Sequence, residues 1–316
     1  MRNAFFRSLV KAAKQNKKLF LISVDQPTGF DDELREALGE RFIIEPISEA
    51  NVIGMASGLA ADGFIPIIFN HATFNSRRCY EQILLDSALQ KRKIILVSMG
   101  SGLATSHLGP THTSTDDIGL MRLIPSMNIL NPCNAAEVNK IFPKLISAKN
   151  PCYLRLSKYG IPKYGIEINK SFFSNYSMNK LIHIKKSKSK SNTLFISTGI
   201  MTPLALEALE LLKNDKHHIN LFHAPSINSL KDSCLVSFLE DAKHLFIAEE
   251  HRTHGGFSSA LIDFATDNHI GKRLPKVIKL GLPNNSFIHQ YGDQESVLKT
   301  FGLDSIGICE RIKEYI

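Results

Sequence analysis

Short apolar runs alternate with amphipathic stretches along most of the chain, and Gly, Pro, Asn and Asp punctuate them. Leu19 to Val24, Phe42 to Ile44, Phe64 to Phe69, Ile94 to Met99, Met127 to Leu130 and Cys152 to Leu156 read as buried strands. Between them, Phe6, Leu9, Val10 and Ala13 share one helical face over residues 3–15, and Asp31 to Leu38 is a short helix stopped by Gly39. Further helices are expected over Ala50–Ala61, Arg77–Lys91, Asp116–Arg122 and Ala135–Ala148. Turns are expected at Asp25-Gln26-Pro27 and at Asn131-Pro132. Around residues 157–192 the apolar period fails and Lys, Ser, Asn and Tyr take over. A second alternating run follows, with strands at Thr193–Ile196, Ile219–Phe222, His244–Ala248 and Lys276–Leu280. Its helices are expected at Pro203–Leu212, Lys231–Glu240, Gly256–Asn268, Gln294–Phe301 and Ser305–Tyr315. No repeat of fixed period is present. The fold class is therefore α/β, with two domains, each a mostly parallel sheet carrying helices on both faces. The domains are expected at 1–160 and 193–316, joined by a linker at 161–192.

The stretch from Ile43 to Gln82 is the most informative. A strand runs into Glu45-Pro46-Ile47-Ser48-Glu49, and then a helix rich in small residues (Gly54, Ala56, Ser57, Gly58, Ala60) leads to a second strand and a polar turn with His71 and Phe74. Small residues on one helix let a backbone or a flat ligand come close. A carboxylate at the entry of such a helix, Glu49, is stabilised by the helix dipole, and this is an odd place for idle charge. Open α/β sheets bind ligands beyond the carboxyl ends of their strands, which directs attention to the loops after Ile44, Phe69 and Met99. His112, in Gly109-Pro110-Thr111-His112-Thr113, is a loop histidine available for acid–base or hydrogen-bonding work. Asp116 and Asp117 are expected to cap the next helix.

Composition narrows the classes. The 316 residues carry 43% apolar side chains, enough for full cores, and a formal charge of +8. Much of that charge sits in the run Lys185-Lys186-Ser187-Lys188-Ser189-Lys190, which reads as a solvated loop without interleaved aromatics, so nucleic acid is not expected as a partner. Anionic substrates suit the same charge. Five scattered cysteines without a Cys-x-x-Cys pair argue against a disulfide framework or zinc site, and no metal ligands are assigned. With no long apolar span and no signal-type leader, no membrane partner is expected and the expected location is cytoplasmic. His251 and His254 read as part of a loop entering a helix and engaged in subunit packing, and His289 as a surface residue.

Taken together, the order Glu49-Ala50-Asn51, Ala56-Ser57-Gly58, Phe74, Arg77, Tyr80-Glu81-Gln82, Gly109-Pro110-Thr111-His112, Asp117-Ile118, Met121-Arg122 and Tyr153-Leu154-Arg155-Leu156 resembles the pyrimidine-binding domain of the transketolase and deoxyxylulose-phosphate synthase family. Glu249-Glu250-His251, Gly255-Gly256-Phe257 and Gly302-Leu303-Asp304 resemble that family's C-terminal domain. The resemblance implies thiamine diphosphate as cofactor. Glu49 matches the glutamate that hydrogen-bonds the aminopyrimidine ring, Phe74 the aromatic packed on that ring, and His112 a histidine contacting cofactor and substrate oxygens. Arg155 matches an arginine that holds substrate phosphate, and Arg77 one that faces substrate in the synthase branch. His71 stands where that branch has tyrosine. The family's Gly-Asp-Gly…Asn motif, which holds Mg²⁺ and the diphosphate, has no counterpart here, so the resemblance implies a split enzyme. An N-terminal-half transketolase subunit would bring Mg²⁺ and the diphosphate end, with two copies of each chain in an α2β2 assembly. Leu108 replaces the aspartate usual before Gly-Pro-Thr-His, and Gly100 and Ser101 replace a phosphate-contacting residue. The expected reaction is transfer of a two-carbon ketol unit between sugars or sugar phosphates. The alternatives are a deoxyxylulose-phosphate-synthase-like or 2-oxo acid dehydrogenase β subunit, and a non-catalytic assembly module.

Overall fold

A computed structural model describes residues 1–25, 28–157, 165–187, 191–212, 218–228, 233–268 and 274–316. The expected turn residues Gln26 and Pro27, linker residues 158–164, the lysine run at 188–190 and the expected helix start at 231–232 lie outside them.

The first sheet holds β1 (Leu19–Val24), β2 (Phe42–Glu45), β3 (Ile65–His71), β4 (Ile95–Met99), β5 (Asn128–Leu130) and β6 (Cys152–Leu156). All are parallel, in the order β2-β1-β3-β4-β6-β5. Register explains the unbroken apolar runs. Leu21, Ile67, Ile95 and Cys152 form one row across the sheet, and Ile22, Ile68, Leu96 and Tyr153 form the next. The two rows point into separate cores on opposite faces, so the residues of these rows are buried whichever way they point, while the edge strand β2 leaves Ile44 exposed. One face is covered by α1 (Arg2–Gln15), α2 (Asp31–Leu38) and α7 (Ala135–Ser147), with Phe5 edge-on to Phe142 at 5.4 Å. The other carries α3 (Glu49–Ala61) and α6 (Asp117–Arg122).

The helix expected at 77–91 is broken. It is built from α4 (Ala72–Arg77), α5 (Tyr80–Gln82) and a π-helical segment, Ile83–Leu89. The break at Arg78-Cys79 and the wide turn absorb a register change that apolar spacing does not reveal, and π segments of this kind recur beside functional sites.

The second sheet has the order β11-β10-β8-β9-β7, from β7 (Ile182–Lys185), β8 (Thr193–Ser197), β9 (Ile219–His223), β10 (His244–Arg252) and β11 (Lys276–Leu282). Only β7, from the stretch expected to link the domains, runs antiparallel. Helices α8 (Met201–Leu211), α9 (Ser233–Asp241), α10 (Phe257–Asp267), α11 (Gln294–Thr300) and α12 (Ser305–Lys313) complete it. Glu249, Glu250 and His251, expected in a loop, are buried strand residues of β10. Glu249 instead caps α10, accepting from the backbone N–H of Phe257 (2.6 Å) and Ser258 (2.9 Å).

Chain order reverses in the first sheet between β1 and β3, and in the second between β8 and β10. Such switch points leave a crevice beyond the strand ends. In the second sheet this end is filled by the first domain. Leu103 donates its N–H to Glu250 (2.9 Å), Gly199 to the Asn131 carbonyl (3.1 Å) and Arg252 to the Thr115 carbonyl (3.0 Å). The crevice at β1/β3 stays open.

Candidate active site

That open crevice is a cleft of about 300 Å³. Val24 and Asp25 enter from the end of β1, Asn70 and His71 from the end of β3, and Ile47 and Glu49 from the β2–α3 connection. Phe74 and Arg78, from α4 and its end, and His112 close it.

Glu49 occupies the first turn of α3, where the backbone N–H groups and dipole favour an anion, and only 6% of its side chain is exposed. Its Oε1 accepts from Arg78 Nη1 (3.0 Å) and from Asn70 Nδ2 (3.4 Å). The Asn70 amide is held in that orientation because its Oδ1 accepts the N–H of His71 (2.7 Å). The Arg78 guanidinium lies 3.8 Å from the centre of the Phe74 ring.

Phe74, His71 and His112 form an edge-to-face triangle, with centroids 5.7 Å apart for His71–Phe74, 5.7 Å for His71–His112 and 5.1 Å for Phe74–His112. The loop carrying His112 is pinned by its own carbonyl, which accepts from Thr105 Oγ1 (2.7 Å) and Thr73 Oγ1 (3.0 Å). Gly100 makes room for this arrangement. Its φ is +71°, and a Cβ there would stand 2.9 Å from Thr105 and 3.1 Å from His71 Nδ1. Burial, then the nearby Arg78 and His107, lower the His112 pKa from its ordinary value, so the imidazole is neutral at neutral pH. It can accept a proton or a hydrogen bond from something in the cleft.

Of the residues singled out from sequence, Glu49, His71, Phe74 and His112 thus meet in one place, and Arg77 and Arg155 do not. Arg77 turns away to a forked pair with Asp116 (Nε 3.0 Å, Nη2 2.8 Å) and to the Thr113 carbonyl (3.2 Å), bracing the His112 loop from outside. Arg155 is 1% exposed and occupied by Asp117, Ser114 and Glu250. Asp117, expected as a helix cap, is its ion-pair partner. Sequence reasoning missed Arg78 and Asn70. Nothing in the adjacent pair Arg77-Arg78 says which faces the cleft, because the helix break between them and Tyr80 decides it.

Cys79 and Cys152 are packing residues. Burial, with Glu49 adding to it, pushes the Cys79 thiol up to about 12, and burial pushes Cys152 up to about 11. Among the described residues one group of potential metal donors converges, Cys133, Glu137 and His223, which lies outside this cleft in the buried contact between the domains. No helix among the described residues is long and apolar enough to cross a membrane.

Comparison with known proteins gives a consistent result. The sequence model of the transketolase pyrimidine-binding domain matches residues 1–163, and that of the transketolase C-terminal domain matches residues 183–308. An uncharacterised transketolase family protein of Sinorhizobium fredii is 28% identical over 99% of this chain and 88% of its own length. One subunit of the apulose-4-phosphate transketolase of Phocaeicola vulgatus is 24% identical over 100% of this chain and 97% of its own. A 1-deoxy-D-xylulose-5-phosphate synthase of Synechococcus is 27% identical, and there the chain spans 46% of the relative. Among solved structures, a split-gene transketolase in an inactive β4 tetramer superposes with a TM-score of 0.84 at 25% identity, covering 99% of this chain and 97% of that one.

Proposed function

The chain belongs to the transketolase family, and from that premise we propose that it is the pyrimidine-side subunit of a two-chain, thiamine diphosphate-dependent transferase. The observation that carries this reading is the meeting of a nearly dry carboxylate, Glu49, with the Phe74 ring and a neutral imidazole, His112, in one cleft at the switch point of the first sheet.

The cleft suits a flat, hydrogen-bonding aminopyrimidine. Phe74 offers a ring face for stacking, which contributes about 0.5–1.5 kcal/mol beyond area burial, and Glu49 a carboxylate beside it. A flat cation already bridges the two. When bound, thiamine diphosphate supplies a carbon nucleophile for adding to a substrate carbonyl. Glu49 would hold a proton between its carboxylate and a ring nitrogen, and Asn70 would keep that carboxylate aimed. Phe74 would fix the ring's tilt. His112 and His71 would line the substrate's path, with His112 able to take up or share a hydroxyl proton. Arg155 and Arg77 would act as positioning residues for the Gly-Pro-Thr-His loop, which leaves the recognition of any substrate phosphate to other groups.

A separate chain binding Mg²⁺ and the diphosphate is supported by the lengths of the relatives. This chain spans nearly all of the apulose-4-phosphate transketolase subunit and nearly all of a split-gene β chain, and under half of the synthase. An assembly with two copies of each chain is proposed because soluble oligomers most often close by two-fold symmetry. Ketol transfer between sugar-type substrates is the reading favoured by the apulose-4-phosphate transketolase relative. Condensation of pyruvate with an aldehyde is the second reading, favoured by the comparable identity to the synthases. The test is to mix the chain with a diphosphate-binding partner, Mg²⁺ and thiamine diphosphate. Ketol transfer that falls about 10²–10⁴-fold in Glu49→Gln supports the first reading. Carbon dioxide release from pyruvate supports the second, and undiminished turnover in Glu49→Gln overturns the role given to Glu49.

A further inference from the structure

Arg78 makes, within the cleft, the two contacts that an aminopyrimidine ring would need. Its guanidinium carbon lies over the Phe74 ring, 3.8 Å from the centre, and Nη1 donates to Glu49 Oε1 at 3.0 Å. We propose that Arg78 is a placeholder, which fills the ring slot between Phe74 and Glu49 while the chain is unloaded and swings out as the cofactor ring enters. This rests on the cofactor reading above and adds to it a device that guards the site.

The physical case has three parts. Glu49 is nearly buried, and a buried carboxylate without a charged partner is costly, so a cationic donor is favoured beside it. A guanidinium is flat, permanently cationic and able to stack and donate at the same time. Arg78 is also poised to leave. It is 47% exposed and stands at the end of α4, immediately before the break at Cys79, so its long side chain can reach solvent without disturbing the core. An ion pair whose arginine is half in solvent is held less tightly than a fully buried one. Asn70 stays behind in either state, holding Glu49 through its amide. Arg78 also lies close enough to His112 to lower its pKa, so its departure alters the histidine as the site fills.

The proposal predicts competition. Thiamine, which carries the ring without the diphosphate, is titrated into the full chain labelled at arginine, and binding is followed by calorimetry and NMR. The Arg78 side-chain resonance, assigned by its loss in Arg78→Gln, should begin shifted by the Phe74 ring current and move to the position of exposed arginines as thiamine binds. Arg78→Ala should bind thiamine roughly fivefold more tightly, the factor expected for losing one weak competing contact, and Arg78→Gln should fall between. An Arg78 resonance that does not move, or equal or weaker binding by Arg78→Ala, overturns the placeholder. If wild type binds and Glu49→Ala does not, the cofactor reading survives that failure. If thiamine perturbs no resonance of the cleft in any variant, the cofactor reading fails and the placeholder with it.

Discussion

Arg155 grips Asp117 with a two-pronged hydrogen bond, Nε to Oδ2 at 2.7 Å and Nη2 to Oδ1 at 3.1 Å, and neither side chain reaches solvent. The same Nη2 donates to the carbonyls of Ser114 and of Glu250 in the second domain. Burial pushes the Asp117 carboxyl up, and the Arg155 guanidinium outweighs it, leaving the acid below the usual carboxylate range. Arg155→Leu strands a buried charge, so it should destabilise the chain by about 3–5 kcal/mol. Removing both partners in Arg155→Leu/Asp117→Leu should recover a large part of that loss. Urea midpoints for the two singles and the double complete the cycle. A stable Arg155→Leu with only a raised KM would instead return this arginine to substrate binding.

Glu250 lies in the same buried knot, and its carboxylate accepts from Gln294 Nε2 (2.6 Å) and from the N–H of Leu103 (2.9 Å). Gly102 lets it in: φ there is +63°, and a Cβ would stand 2.3 Å from the Glu250 carboxyl carbon. Burial pushes Glu250 from an ordinary 4.5 up to about 7, with Asp117 adding to the rise and Arg155, Gln294 and Leu103 opposing it. Between those values the folded chain holds a proton that the unfolded chain has released. This group's contribution to stability is therefore full below pH 4.5 and declines as pH rises through about 7. The swing is roughly 3 kcal/mol, at about 1.4 kcal/mol per pH unit. Glu250→Gln should flatten the profile between pH 5 and 8, measured by urea midpoints against wild type at each pH. Parallel profiles would mean that the carboxylate is neutralised some other way.

The strands were the legible part of the fold, for a physical reason. Leu19–Val24 and Cys152–Leu156 lie where their apolar runs put them, since strands buried on both faces need no side-chain alternation. Helix α2 was fixed by its acidic first turn and Gly39. The break at Arg78-Cys79 was not legible, because apolar spacing cannot distinguish a straight helix from one that gains a residue through a π turn. Glu49, His71, Phe74 and His112 could be picked as candidates from loop position and family resemblance. Arg155 was legible as an arginine that needs a carboxylate or phosphate fork, but not as one whose fork is supplied by Asp117 within the chain. Contacts between distant segments, such as Glu250 to Leu103, leave no local trace in a single sequence.

Glu137 and His223 form a second buried contact between the domains. His223 Nε2 lies 2.9 Å from Glu137 Oε2, its Nδ1 pairs with Thr202 Oγ1 (2.7 Å), and Glu137 Oε2 also accepts the N–H of Cys133 (2.7 Å). His223→Leu removes the carboxylate's side-chain partner across this contact and should cost about 2–4 kcal/mol. It should also speed cleavage by a protease acting between the domains, because this pair ties α7 to β9. His223→Gln, which can still donate to Glu137, should lose about half as much or less. Equal stability of wild type and His223→Leu would remove the pair from the contacts that hold the two sheets together.

His112 links the cleft to pH. Its pKa is lowered from 6.5 by burial first, then by the charges of Arg78 and His107. The unfolded chain then binds the proton more readily than the folded one. Above pH 6.5 this histidine costs nothing, and as pH falls below that value the folded state loses stability relative to a variant without it. His112→Gln should therefore gain on wild type as the buffer is taken from pH 7 to 5, measured by urea midpoints. Because the Arg78 charge is one of the causes, Arg78→Ala should move the His112 titration upward, and His107→Gln should do so by less. Both are read from the imidazole C2 proton by NMR. A titration unmoved in Arg78→Ala would separate the histidine from the guanidinium electrostatically and leave burial and His107 as the reasons for its neutrality.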